Sequence, residues 1–276
     1  MTESTSSPAD EAARRILQYR ELLGHLLDCT QRILPTVRFD KRRSQHVAAM
    51  CIYATILQSI GECHRLMDRS TVTVPGIMRS VLESYADLSA VIANPEYPKK
   101  MLATLYEEQR KHLQDVIKEP QNPFHAQLAA KIDPRAELSK VTSSLDHLRQ
   151  EGHVPLRIKD RLDAAGLANI YRTVYWELCL HDHNNLAVLE SRHIRRTGET
   201  QFEIDVFAEN SAHQIGTSYD TLTGILADAS HRLYRLLEFS PPDEFNRQVE
   251  AFERFRPEAV NILTAQTTPR ENQYGQ

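Results

Sequence analysis

Arg79 and Glu83 stand four residues apart inside GIMRSVLESYADLSAVIAN, residues 76–94. On a helix that spacing brings a guanidinium and a carboxylate onto one face. Much later in the chain, Tyr175, His181 and His183 fall together in YWELCLHDH. An imidazole takes or gives a proton near neutral pH, and a guanidinium neutralises charge on a phosphorane. These residue types therefore describe one chemistry, metal-independent cleavage of RNA through its 2′-hydroxyl. His183 or His181 would be the general base, Arg79 would hold the phosphorane, and Tyr175 would donate a hydrogen bond. In the basic run His193-Ile194-Arg195-Arg196, Arg195 and Arg196 would contact phosphates or a partner. The same groups can instead form a hydrogen-bonded core network around a buried charge pair. The residues favour that second reading.

The helical wheel carries the choice. At about 100° per residue, Ile77, Val81, Leu82, Tyr85, Leu88, Val91 and Ile92 fill one broad arc. Ser80, Ser84 and Asp87 form a narrow polar strip expected to be wet. Arg79 and Glu83 align with Ala86 and Ala90, small residues that let another helix approach. The pair is thus expected to face a neighbour rather than water. Residues 167–190 read as a second core helix, with Tyr171, Tyr175, Cys179 and His183 at i+4 spacing. His181 and Asp182 fall within its apolar arc. Either the helix kinks at HDHNN, where Asn184 and Asn185 are poor helix formers, or these groups line a polar pocket.

Other chemistries find less support. Glu177, His181, His183, Glu190 and His193 cluster in sequence, but there is no HExxH, no paired Glu-x-x-His and no Cys/His ligand set. No metal and no cofactor is expected. Arg20 and His25 match the R-x4-6-H pattern of helical defence-type ribonucleases. In a chain with 33 Lys and Arg and 12 His, such matches arise by chance. No phosphate-binding glycine loop, dinucleotide fingerprint or GxSxG is present.

The positioning elements follow from punctuation and periodicity. A helix is expected from Pro8 to Leu34, stopping before Pro35. A strongly apolar one spans residues 47–68, and a charge-rich outer one 98–117. Two or three short helices fill 124–166, with Asp133-Pro134 starting one and Gly152 ending it. Phe202, Ile204 and Val206 alternate with polar residues after Thr197-Gly198-Glu199, so a small β-hairpin is expected within 193–207. A long helix from 211 to 239 and a last one from Asp243, interrupted at Pro257, complete the chain. Only 9 glycines in 276 residues argue against a turn-rich β fold. The fold class is all-α, a bundle of about eight to ten helices plus one hairpin.

A hydrophobic share of 41% and a charged share of 25% suit a globular chain with a sizeable core. A net charge of −4 gives no global nucleic-acid signature. With no signal peptide and no apolar run of about 20 residues, no membrane association and a cytoplasmic location are expected. The four cysteines lack a CxxC and read as reduced thiols, mostly core filler. The organisation expected is a disordered leader 1–7, one helical domain 8–268 and a flexible tail 269–276.

R-S-V-L-E, from Arg79 to Glu83, and Y-W-E-L-C-L-H-D-H, from Tyr175 to His183, resemble two hallmarks of a bacterial all-helical family of unknown function, family 5677. That family carries R-x3-E and, further on, Y-x2-L-S-x3-H. The resemblance covers residues 47–193. Cys179 stands where the family usually has serine, and a thiol is the weaker hydrogen-bond partner. The resemblance implies a helical bundle and a bacterial source, and it supplies no activity. Two functions follow. The first is a non-catalytic interaction or effector module with a polar Arg-Glu/Tyr-His cluster between two core helices. The second is a metal-independent ribonuclease of the defence, toxin or stress type using that cluster. RNA and a second copy of the chain are the partners considered, the latter if the last helices expose apolar surface.

Overall fold

Helix α3 (Thr73–Ala93) runs through the core because most of its circumference is apolar or small, and eleven of its residues are buried. The computed structural model describes residues 8–69, 71–182, 185–198, 201–206 and 209–265. Helix α2 (Ser44–Leu66) packs along α3 more extensively than any other pair of elements. Gln45 of α2 reaches past α3's end and donates through Nε2 to the carbonyls of Val91, at 2.9 Å, and Ile92, at 3.2 Å. Those are terminal carbonyls that the helix itself cannot satisfy.

Helices α1 (Pro8–Ile33), α11 (Ala212–Leu236) and α12 (Asp243–Ala265) close the main core around this pair. Leu23, Leu26, Tyr53, Ile56, Ile60, Leu88, Leu222, Leu226 and Phe245 meet there without solvent exposure. Each such side chain contributes about 1.5–3 kcal/mol by burial. Cys29 and Cys63 belong to this core, and all four cysteines are free thiols. The apolar stripe of α12 also points inward, with Phe245, Val249 and Phe252 buried. The backbone of α12 continues through Pro257 to Ala265, correcting the expected interruption. The proline forgoes a single backbone hydrogen bond there rather than ending the helix.

Helices α4 (Tyr97–Lys118) and α6 (Pro134–Gln150) pair beside the core over a small cluster of Ala103, Leu145 and Leu148. Between them lies α5 (Pro123–Ala129), capped by Asn122, and Asp133 caps α6. Gly152, at φ 85°, ends α6 by letting His153 N–H bond back to the Leu148 carbonyl. Gly166, at φ 73°, does the same after α7 (Ile158–Ala164), for Leu167 N–H and Leu162. Both are glycine-terminated helix ends in the left-handed region. The second turn sets the direction of everything that follows.

Residues 167–190 are not one regular helix. They form a short α8 (Ala168–Ile170), a π-helical turn (Tyr171–Tyr175) and α9 (Trp176–Asp182), and α10 (Leu186–His193) then starts anew. Asn185 causes the restart. Its side-chain oxygen accepts from Ala187 N–H at 3.1 Å and Val188 N–H at 3.4 Å, making it the cap of a new helix. The break therefore falls within HDHNN. The π turn leaves no clear pattern in the sequence. Strands β1 (Ile194–Arg196) and β2 (Phe202–Ile204) form the antiparallel hairpin, pairing Ile194 with Ile204 and Arg195 with Glu203. Among the described residues, no helix is long and apolar enough to cross a membrane. The leader 1–7 and the tail 269–276 lie outside the described residues.

Candidate functional site

Two polar constellations flank the contact of α3 with α9. The first grows from the Arg79–Glu83 pair. Arg79 Nε lies 3.5 Å from Glu83 Oε1, and both side chains are about a quarter exposed. Ala86, fully buried, lets α7 and α9 approach, and it packs against Leu162 of α7 and Tyr175 of the π turn. The Tyr175 hydroxyl thereby reaches Glu83 and donates to Oε1 at 2.9 Å. Arg161 of α7 enters from the other side. Its Nη1 donates to Glu83 Oε2 at 3.3 Å and its Nε to Asp87 Oδ1 at 2.9 Å, while its Nη2 meets Asp87 Oδ2. Tyr97, at the start of α4, completes the set by donating to Asp87 Oδ1 at 2.8 Å.

Asp87 is thus not on a wet strip. It is 7% exposed, whereas Ser80 is exposed and Ser84 half-buried. Its neighbours in sequence gave no sign of this, because the guanidinium that makes its burial tolerable lies 74 residues further along the chain. A buried carboxylate requires such a partner. The electrostatics follow the geometry. Burial works against the Arg161 charge, but Asp87 and then Glu83 outweigh it and hold the guanidinium above its ordinary range. Burial first, then the bond to Glu83, raises the Tyr175 hydroxyl far above its ordinary value. Burial and Asp87 do the same to Tyr97.

The second constellation is a cleft of about 270 Å³ between the start of α3, α9, α10 and the first turns of α11. Val74, Pro75, Met78 and Leu178 give it an apolar floor, and His181, Arg192, His213, Glu177 and Glu209 bring charge or a proton to its walls. Arg192 Nη2 lies 3.1 Å from His181 Nδ1. A guanidinium has only donors, so Nδ1 accepts and the ring proton sits on Nε2. His181 therefore belongs to this cleft, where its position in the apolar arc had pointed to a pocket. Arg192 and His213 carried no motif that could have singled them out.

The remaining candidates fall elsewhere. His183 lies outside the described residues. Arg195 pairs with Glu203 across the hairpin at 2.6 Å, and Arg196 is exposed on the same strand. His193 donates from Nδ1 to the Asp205 carbonyl at 2.8 Å, tying down the hairpin base. Arg20 is held by Asp68 at 2.7 Å. Among the described residues, no group of three or more His, Cys, Asp or Glu is placed to hold a metal ion.

No curated protein and no solved structure matches this chain. One family model does, and it spans residues 46–201, covering α2, α3, the network, α9, α10 and the first strand of the hairpin. That is more than half of the sequence, and it includes both halves of the R-x3-E and Y-x2-L-C-x3-H pattern. The chain therefore belongs to the Family of unknown function (DUF5677).

Proposed function

We propose that this protein is a non-catalytic helical interaction or effector module of the cytoplasm, and that the Arg79–Glu83 cluster is its internal brace. One observation carries the reading: all four carboxylate oxygens of Glu83 and Asp87 are already engaged by Arg79, Arg161, Tyr97 or Tyr175. A general base or phosphate clamp needs a group aimed at substrate. These side chains are aimed at one another, and they tie α3 to α4, α7 and the π turn. The outward apolar face of the hairpin supports an interaction role. Phe202 and Ile204 share one side of β2 and are both about three-fifths exposed, a cost that a partner surface, such as a second copy of the chain, would relieve.

The test is incubation of the purified protein with total tRNA in EDTA, beside Arg79→Ala and Arg161→Met variants. The expected result is no cleavage by any of them and a lower melting temperature for both variants. Cleavage by the wild type that disappears in a folded Arg79→Ala variant would instead establish the ribonuclease.

A further inference from the structure

We infer that the cleft between α3, α9, α10 and α11 is a binding site for a small monoanionic organic acid with an apolar body. The inference rests on the module reading and names what such a module would sense. The cleft's volume of about 270 Å³ holds a body of roughly ten heavy atoms at about 25 Å³ each. Its floor of Val74, Pro75, Met78 and Leu178 suits a hydrocarbon or an aromatic ring. Thr217, Ser218 and Thr221 along α11 add hydroxyls that bond in either direction.

Charge selects the head group. Arg192 spends one N–H on His181 Nδ1 at 3.1 Å and keeps other donors in its fork. That bond requires a neutral imidazole, so the Arg192–His181 pair presents a single positive charge. The bond also fixes the guanidinium, and a fixed fork matches a carboxylate in two-point contact. Glu177 and Glu209 line the same cleft and oppose a second negative charge. With Arg192 at +1 and Glu177 and Glu209 at −2, the charged lining sums to −1, so two-point contact with the Arg192 fork is what holds a carboxylate, and a phosphate monoester, at about −1.5 to −2 near neutral pH, meets the larger opposition. Tyr175, one residue from cleft-lining Val174, belongs to the brace and not to this site.

The probes are 4-phenylbutyrate, octanoate and indole-3-acetate, titrated calorimetrically into the full chain, with 4-phenylbutyramide and phenyl phosphate as comparisons. At least one acid should bind saturably at one site per chain, and its amide at least about tenfold more weakly. Arg192→Gln should weaken the acid by about tenfold or more. Val174→Trp, placed at a half-exposed wall of the cleft, should abolish binding, with both variants melting near the wild type. The inference is overturned if none of the three acids binds up to low millimolar concentration. It is also overturned if Arg192→Gln binds as well as the wild type, or if phenyl phosphate outcompetes every carboxylate. Its failure is separable from that of the module reading, because tRNA cleavage in EDTA tests the latter without reference to the cleft.

Discussion

Adjacent positions of one short segment serve two different environments. Tyr175 enters a network in which every carboxylate oxygen has a partner, while Val174, Glu177 and His181 line a cavity. The same division runs along α3, where Glu83 and Asp87 meet α7 and Glu83 the π turn, and Val74 and Met78 floor the cleft. The contrast teaches that polar residue types do not identify a functional site; the count of partners already satisfied does. The brace holds more of the residues that look catalytic, yet its groups are spent on one another. The cleft holds fewer, but they converge on open space.

This difference can be broken first with alkali, the largest effect expected. Burial, and then the bond to Asp228, pushes the Tyr85 hydroxyl up to about 12 from its ordinary 10.0. Burial likewise takes Tyr53 to about 12, and Tyr97 and Tyr175 in the brace are raised as well. A raised tyrosine contributes full stability below its unfolded value and loses it as pH climbs toward the folded one. Burial also raises the Cys63 thiol from its ordinary 9.0 to about 12, so the melting temperature should hold up to pH 9, begin to decline above it, and fall most steeply between pH 10 and about 12. Among the described residues no tyrosine lines the cleft, so a fall confined to lower pH would contradict this assignment.

Next comes Arg161→Met, which leaves Asp87 buried without its guanidinium. A loss of about 3 kcal/mol is expected for breaking such a pair, or roughly 6–12 °C in melting temperature for a domain of this size. A shift under about 2 °C would show that the brace is dispensable. Tyr175→Phe removes only one bond to Glu83, whose Oε1 keeps Arg79, so the expected loss is about 1 kcal/mol. Smallest of all is Arg192→Gln. A cleft built for a ligand gives little to the unliganded fold, so stability should change by no more than about 0.5 kcal/mol. A large loss would make the Arg192–His181 contact a second brace and erase the distinction.

The pairing of Arg79 with Glu83 was legible because a helix fixes which residues share a face, and alanines beside them announced a close neighbour. Tyr175 as a partner was legible for the same reason, from i+4 spacing on a second apolar segment. Arg161 was not, since its position relative to α3 depends on the intervening helices and the turn at Gly152, and Tyr97 was not, since it lies beyond the end of α3 at Asn94, where helical spacing no longer fixes which residues share a face. Asp87 was misread as wet because local periodicity places it beside Ser80 and Ser84. The core helix 167–190, expected with either a kink or a polar pocket at HDHNN, divides at Asn185 and begins with a π turn that was not expected. Asn185 serves the backbone better as a cap than as a helix interior, and the π turn brings Tyr175 onto Glu83 without leaving any clear pattern.

What the sequence determined by itself was the all-α class, the placement of most helices, the hairpin and family membership, all of which rest on short-range periodicity, capping and local motifs. Tertiary structure alone decided which charges are buried, which arginine neutralises Asp87, and that His181 meets Arg192 over a cavity. Those outcomes depend on contacts between distant segments. Desolvation and Coulomb energies are set by distance in space, and spacing along the chain does not encode that distance once a turn intervenes.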